Sequence, residues 1–199
     1  MEKKNRILII VYPQVDFIHG SLATLNGEKA MDALCNYLGQ VAIDMYDEIV
    51  VTADCHPEDH CSFKEFGGPF PVHCVKGMLG QGIYPELYSM LNQLHMAGLP
   101  SRLLTKGMRP DKEEFSVMQN RFSGDILRDL IKETKPDIDI CGIATDYCVY
   151  ETLKDLHEEF PDTKIRVLKD FCAAVDDLDE KLDNYVQSSK NVSMVPEKY

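Results

Sequence analysis

The feature that most constrains the fold of this chain is a repeated alternation between short apolar runs and segments with helical periodicity. Six runs rich in branched aliphatic residues predict strands at residues 6–11, 48–53, 102–105, 138–143, 164–168 and 192–194. Between them, apolar residues spaced three and four apart predict helices over residues 28–43, 84–98, 123–133, 146–160 and 179–189, with Ser123 as an N-cap. Strands that alternate with helices in this way form βαβ units. We therefore predict a single three-layer α/β/α domain over residues 1–199, with a doubly wound, mostly parallel six-stranded sheet.

One long segment interrupts this alternation. From Cys55 to Gly82 the periodicity disappears, and Pro, Gly, His and aromatic residues accumulate. An irregular stretch of this length in a compact domain is usually either functional or disordered. Its three histidines favour a functional loop, and ligands of parallel sheets bind beyond the carboxyl ends of the strands. We therefore expect a metal and substrate loop at about residues 55–82.

Composition excludes several classes of partner. The net charge of −12 argues against nucleic acid, because binding it depends on Lys and Arg that neutralise phosphates. No run of about 18 apolar residues exists, so we expect no membrane segment. The first six residues lead directly into a short apolar strand, whereas a signal peptide needs a longer apolar stretch and a small-residue cleavage site. Seven scattered cysteines without a Cys-x-x-Cys pair indicate free thiols. The expected location is the cytoplasm.

Cys148 is the candidate nucleophile. It ends the segment Gly-Ile-Ala-Thr-Asp-Tyr-Cys, which follows the fourth predicted strand and opens a helix near Asp146. The helix dipole and the free N–H groups of a first turn favour a thiolate and could hold an oxyanion. Lys106, at the end of the third strand, would lower the pKa of the thiol further. A buried helix cysteine without chemistry fits the same position.

Asp54, His56 and His73 form a candidate metal-ligand set. One carboxylate and two imidazoles suit Zn²⁺, Fe²⁺ or Mn²⁺ and leave positions open for water or substrate. His60 is a further candidate ligand, or a hydrogen-bonding partner of one. Three solvent-facing loop histidines are the alternative. We do not expect the nearby thiols of Cys55, Cys61 and Cys74 to add ligands.

Five segments, taken in order, resemble the isochorismatase-like cysteine hydrolase superfamily, and within it the nicotinamidases and pyrazinamidases. They are residues 10–22, 54–63, 70–75, 106–116 and 142–149, and the likeness extends over about residues 5–195. The resemblance implies the superfamily's α/β fold and hydrolysis of a small aromatic carboxamide, with a place in NAD metabolism. It also implies a small-molecule substrate as the partner and leaves homo-oligomerisation open.

The resemblance assigns roles to the catalytic residues. Cys148 would attack the carboxamide carbon and release ammonia, leaving an acyl-enzyme for water to hydrolyse. Lys106 would hold the thiolate and a nearby acidic group in place. Backbone N–H groups of Ala144 and Cys148 would form the oxyanion hole, with a non-proline cis peptide bond between Ile143 and Ala144.

The resemblance also assigns the binding residues. Asp54, His56 and His73 would bind a divalent metal, zinc or alternatively iron or manganese, that receives the pyridine nitrogen of nicotinamide. The side chains expected to wall the substrate are Phe17, Phe70, Phe115 and Ile143. Phe70 stands where nicotinamidases usually have Trp.

One position departs from the family pattern. The family's opening motif carries an aspartate that takes the proton of the cysteine and passes it to the leaving ammonia, and here that position is Tyr12. A phenol has a reference pKa near 10, against about 3.9 for Asp. Lys106 and the metal could lower the pKa of the phenol enough for it to act as the proton shuttle, or His19 could replace the base.

The sequence is also compatible with two other functions. Tyr12 could fill the pocket, which would make the chain a pseudoenzyme that keeps the fold and the metal or ligand binding. The chain could also hydrolyse another small amide, an ester or an isochorismate-like vinyl ether.

Overall fold

The computed structural model describes residues 5–175 and 180–195 and contains the predicted six-stranded sheet. Its strands are β1 (Arg6–Val11), β2 (Glu48–Asp54), β3 (Ser101–Lys106), β4 (Asp137–Ile143), β5 (Ile165–Ala173) and β6 (Val192–Val195). Its helices are α1 (Val15–Ile18), α2 (Gly27–Met45), α3 (Pro85–Met96), α4 (Arg121–Thr134), α5 (Tyr150–Glu159) and α6 (Glu180–Ser188). Every strand pair is parallel, in the order β3-β2-β1-β4-β5-β6. The predicted fold class is confirmed.

The centre of the sheet is buried on both faces. The four side chains from Leu8 to Val11 of β1 have no exposed surface, which requires a helical layer on each side. Helix α2 packs against α3 and across β4 and β5, whereas α4 packs against β3. Complete burial of a Leu, Ile or Val side chain contributes about 1.5–3 kcal/mol. This core fixes the strand ends that carry the polar residues.

The strand order reverses between β1 and β4. From β1 the chain moves outward through β2 and β3, and from β4 it moves outward the other way through β5 and β6. Parallel α/β sheets bind ligands at such a reversal, beyond the carboxyl ends of the strands. The residues delivered there are Tyr12 after β1, Asp54 and Lys106 at the ends of β2 and β3, and Ala144 after β4.

The start of α4 differs from the sequence prediction. The prediction that Ser123 is the N-cap is wrong, because Asn120 already caps the helix three residues earlier. The Asn120 side-chain oxygen accepts hydrogen bonds from the backbone N–H groups of Phe122 at 3.2 Å and Ser123 at 3.1 Å. The Ser123 hydroxyl instead donates to the Thr105 carbonyl at 2.6 Å. Ser123 therefore ties α4 to β3.

The long loop between β2 and α3 has little regular secondary structure. The irregular region at 55–82 contains two short 3₁₀ turns, Lys64–Phe66 and Leu79–Gln81, and two isolated β-bridges, His56 with Val75 and Phe63 with Phe70. All seven cysteines lie in the described segments and are free thiols, as predicted. Residue 179 of the predicted last helix lies outside the described residues. No helix within 5–175 or 180–195 has the length and apolar content needed to cross a membrane.

Candidate active site

The strand ends and the loops that follow them enclose a cavity at the carboxyl edge of the sheet. The enclosed part is small, about 30 Å³, and the whole opening, including solvent at its mouth, measures about 400 Å³. The predicted site residues that line it are Phe17, Asp54, Phe70, His73, Lys106, Phe115, Ala144 and Cys148. The lining residues that we did not predict are Leu22, Glu113, Tyr147 and Val175. The side chain of Ile143, expected to wall the substrate, is fully buried and does not line the cavity.

Cys148 lies in a π turn, Thr145–Val149, that follows β4 directly and precedes α5. The peptide bond between Ile143 and Ala144 is cis, as predicted. Burial raises the pKa of the Cys148 thiol well above its usual value, and Asp54 and Glu113 raise it further. Lys106 and a backbone hydrogen bond from Ala144 lower it only in part. Burial thus favours the protonated thiol, whereas the turn and Lys106 favour the thiolate, so attack by the sulfur calls for a proton acceptor.

Lys106 is an almost completely buried ammonium group at the end of β3. It forms a close ion pair with the Asp54 carboxylate, through Asp54 Oδ1. Burial raises the pKa of Asp54, but the Lys106 ammonium and other neighbouring groups together lower it more, so the pKa of Asp54 lies well below its usual range. Burial lowers the pKa of Lys106, and Asp54 reverses that effect. Both groups are charged, and each keeps the other ionised.

Asp54, His56 and His73 can supply three metal ligands. Their candidate ligand atoms all lie within 4.8 Å of one another, and all three residues are buried. His56 Nδ1 lies 2.9 Å from the Gly107 carbonyl and His73 Nδ1 lies 2.8 Å from the Pro71 carbonyl. Each Nδ1 therefore carries the proton, which leaves Nε2 with its lone pair for a cation. Among the described residues, His56 Nε2 has no hydrogen-bond partner although it is buried. These residues fit a divalent metal.

His60 is placed differently from the other two loop histidines. Its Nδ1 lies 2.7 Å from the Ser62 hydroxyl and its Nε2 lies 3.2 Å from the Lys112 carbonyl. Its ring stacks on that of His56, with a centroid separation of 3.9 Å. Both ring nitrogens of His60 thus have protein partners. His60 therefore packs against His56 and helps to hold its ring in place.

Tyr12 is fully buried beneath Lys106 and does not line the cavity. The Lys106 ammonium lies 4.7 Å from the centre of the Tyr12 ring, and the Tyr12 hydroxyl lies 3.4 Å from the Phe115 carbonyl. Burial raises the pKa of Tyr12 well above 10, and the neighbouring Asp54 carboxylate raises it further. These effects oppose the lowered pKa that a phenol base would need, so the phenol stays protonated.

A network of polar side chains that we did not predict holds the site together. Gln14 is buried and binds Asp54 twice: its amide nitrogen donates to the Asp54 carbonyl at 2.9 Å, and its oxygen accepts from the Asp54 N–H at 2.7 Å. Asp16 accepts a hydrogen bond from the Cys74 N–H at 2.7 Å and so anchors the loop that carries His73. The sequence signal that could have indicated this anchoring role is the position of both polar residues shortly after the buried strand β1.

Gly107 is required by the approach of His56. Its φ is +70°, and a Cβ atom there would lie 2.4 Å from the His56 ring. Only glycine permits this conformation without strain and leaves room for the imidazole. The Lys106-Gly107 pair therefore orients both an ammonium group and a candidate metal ligand.

Aromatic rings form the walls of the cavity. The centroid of the His73 ring lies 5.6 Å from that of Phe17 and 5.9 Å from that of Phe70. Tyr147, just before the cysteine, lies 5.9 Å from Phe70 and 6.2 Å from Phe115. The arrangement gives a flat ligand apolar faces on several sides.

Two further residues carry groups that could accept the proton of the Cys148 thiol, His19 and Glu113. His19 is a surface residue that lies 3.7 Å from Glu28, and it does not line the cavity. Glu113 does line the cavity, from the loop after β3. Sequence reasoning missed Glu113 because that loop has no periodicity and Glu113 lies among four other charged residues in 109–114.

Comparisons with known proteins agree with this geometry. No family model matches the chain. The nicotinamidase/pyrazinamidase of Mycobacterium tuberculosis is 33% identical over 175 residues, which cover 85% of this chain and 87% of that protein. The crystal structure of Pyrococcus horikoshii pyrazinamidase in complex with zinc superposes with a TM-score of 0.79 at 27% identity, covering 96% of this chain and 98% of that one. The structure of PnC1 from L. infantum in complex with nicotinate gives a TM-score of 0.80 at 28% identity, covering 98% of this chain and 94% of that one. The chain belongs to the nicotinamidase/pyrazinamidase family of isochorismatase-like amidohydrolases.

Proposed function

We propose that this chain hydrolyses nicotinamide, or a closely related pyridine or pyrazine carboxamide, to the carboxylic acid and ammonia through a thioester on Cys148. The observation that carries the proposal is the shared cavity: the buried thiol, the Asp54 and His73 side chains and an aromatic wall all line it. The nicotinate bound to the L. infantum relative is the product expected of this reaction.

Substrate binding is assigned to the metal ligands and the aromatic wall. Asp54, His56 and His73 would hold a divalent metal, with zinc favoured by the donor set and by the zinc-bound P. horikoshii relative. Bound there, the metal supplies an electrophilic anchor for a ring nitrogen of the substrate. Phe17 and Phe70 flank His73 and would pack against the ring, which orients the carboxamide toward Cys148.

The chemistry is assigned to Cys148 and the turn around it. The sulfur attacks the carboxamide carbon, and the Ala144 and Cys148 N–H groups stabilise the negative oxygen that develops. The C–N bond then breaks, ammonia leaves, and water hydrolyses the thioester. Lys106 keeps Asp54 ionised and oriented beside the cavity.

A pseudoenzyme is the second candidate function, and Tyr12 is the observation that favours it. The position of the family aspartate holds a neutral, buried phenol, and burial raises the pKa of the Cys148 thiol. A chain with no proton acceptor would bind nicotinamide without turning it over.

Ammonia release separates these two functions. Purified wild type, Cys148→Ala and Tyr12→Asp are compared on nicotinamide, with the metal content of each protein measured alongside. The hydrolase predicts ammonia release by wild type that Cys148→Ala loses. Equal rates for wild type and Cys148→Ala, together with a gain in Tyr12→Asp, would refute the hydrolase and support the pseudoenzyme. A panel of other small amides and esters tests the substrate class.

A further inference from the structure

Glu113 places a carboxylate on the cavity that holds Cys148. It belongs to the loop between β3 and the 3₁₀ turn Val117–Gln119, and it is half-buried. One of its oxygens, Oε1, accepts a hydrogen bond from the Glu114 N–H at 2.9 Å, which fixes the side chain. Within the part of the chain that the structure describes, its Oε2 accepts no hydrogen bond. A fixed carboxylate with a free oxygen on a reaction cavity is suited to accept a proton.

The charge of Glu113 reaches the groups around the nucleophile. Burial is the main cause of the raised pKa of Cys148, and the Glu113 carboxylate is among the charges that raise it further. The same carboxylate adds to the raised pKa of Tyr12, after burial, Cys148 and Asp54. Glu113 and Cys148 line the same cavity, and the charge of the carboxylate acts on the thiol across it.

The other carboxylate and the imidazole of the cavity lining are committed elsewhere. Asp54 is ion-paired with Lys106 and belongs to the metal-ligand set. His73 is a candidate metal ligand whose Nδ1 is bound to a carbonyl. Tyr12 is a protonated phenol outside the cavity. Glu113 is left as the carboxylate of the cavity lining with an oxygen available.

We propose that Glu113 is the proton acceptor and donor for Cys148 in this chain, in place of the aspartate that Tyr12 replaces. The proposal rests on the proposed amide hydrolysis. The Glu113 carboxylate takes the proton of the thiol as the C–S bond forms. It then gives that proton to the nitrogen as the C–N bond breaks and ammonia leaves. In the second half, Glu113 takes a proton from water as its oxygen attacks the thioester carbon, and it returns the proton to the sulfur as the C–S bond breaks.

The test is a double-mutant comparison of Glu113→Gln and Tyr12→Asp, measured as kcat/KM for ammonia release from nicotinamide by the metal-loaded full chain. Glu113→Gln keeps an oxygen for the Glu114 N–H but cannot accept a proton. We expect it to lower kcat/KM by about 10²–10⁴-fold. In the Tyr12→Asp background the same change should alter kcat/KM less than threefold, because the restored aspartate takes over the proton. Glu113→Asp should retain more activity than Glu113→Gln.

Asp111→Asn is the matched control, because its exposed carboxylate lies two residues away and pairs with Arg109 at 2.7 Å. It should leave kcat/KM unchanged, and thermal melting of every variant reports its folding. Activity of Glu113→Gln within threefold of wild type, while Cys148→Ala is inactive, overturns the role of Glu113 alone. Equal losses in both backgrounds also overturn it, because they indicate a structural effect. Wild type indistinguishable from Cys148→Ala overturns the hydrolase function and this inference with it.

Discussion

Replacing Tyr12 with Phe isolates the contribution of the buried hydroxyl. The change removes one hydrogen bond, to the Phe115 carbonyl, whose length of 3.4 Å exceeds the usual range for an O–H···O bond. A well-formed hydrogen bond contributes about 0.5–1.5 kcal/mol net, so this one should contribute at most about 0.5 kcal/mol. The ring stays beneath Lys106, so the cation–π contact at 4.7 Å is kept. For a chain of this size the melting temperature should fall by about 1–2 °C.

The activity of Tyr12→Phe distinguishes the two roles considered for the phenol. Because the pKa of Tyr12 is raised, the phenol cannot take the thiol proton near neutral pH. We therefore expect kcat/KM for ammonia release from nicotinamide to stay within about threefold of wild type, whereas loss of an acid–base group typically costs about 10²–10⁴-fold. A coupled ammonia assay and a melting curve measure both quantities. A folded Tyr12→Phe protein with at least a hundredfold loss would refute this reasoning and make the phenol the proton shuttle.

Three further predictions concern the metal, the loop after β3 and the cap of α4. His56→Asn should lose bound zinc in a metal analysis after dialysis, whereas His60→Asn should retain it, since protein groups hold both nitrogens of His60; equal losses would contradict the assignment. Burial raises the pKa of Glu114, but its hydrogen-bond donors lower it to below its usual range. The ionised Glu114 carboxylate therefore stabilises the fold fully above the unfolded pKa near 4.3, and this stabilisation is lost as pH falls through the folded pKa. In urea titrations at several pH values, the free energy of unfolding of Glu114→Gln should fall less steeply with acidification than that of wild type. Asn120→Ser and Asn120→Asp should cap α4 about equally well, but the aspartate would face the Glu114 carboxylate that Asn120 now contacts at 3.0 Å; the aspartate variant should be less stable at neutral pH, and a more stable one would contradict the contact.

The sheet was predictable because its centre is buried on both faces. A strand such as β1 then consists of a continuous apolar run, which distinguishes it from a helix, and its bounds at Arg6–Val11 agree with the prediction. The sequence predicts β5 at 164–168, but it runs over Ile165–Ala173. Polar residues such as Lys169 and Asp170 interrupt the apolar pattern there, and the pairing with β4 shifts register between Ile140 and Gly142.

The strand ends made much of the site predictable, while the loops did not. Asp54, Lys106 and Cys148 each follow or end a strand, so their convergence at one sheet edge follows from the topology. Glu113 lies in an irregular loop, where nothing in the pattern indicates which of several charges faces inward. The sequence also does not show how deeply Cys148 is buried, and that burial raises the pKa of the thiol more than the turn and Lys106 lower it.

In the proposed reaction Cys148 carries the acyl group during amide hydrolysis. The most direct measurement is rapid acid quench of the metal-loaded protein during turnover of nicotinamide, followed by peptide mass spectrometry of all seven cysteines. We predict a nicotinoyl thioester on the peptide that contains Cys148, and none in Cys148→Ala. Ammonia release without any label on Cys148, or with the label on another cysteine, would contradict the account.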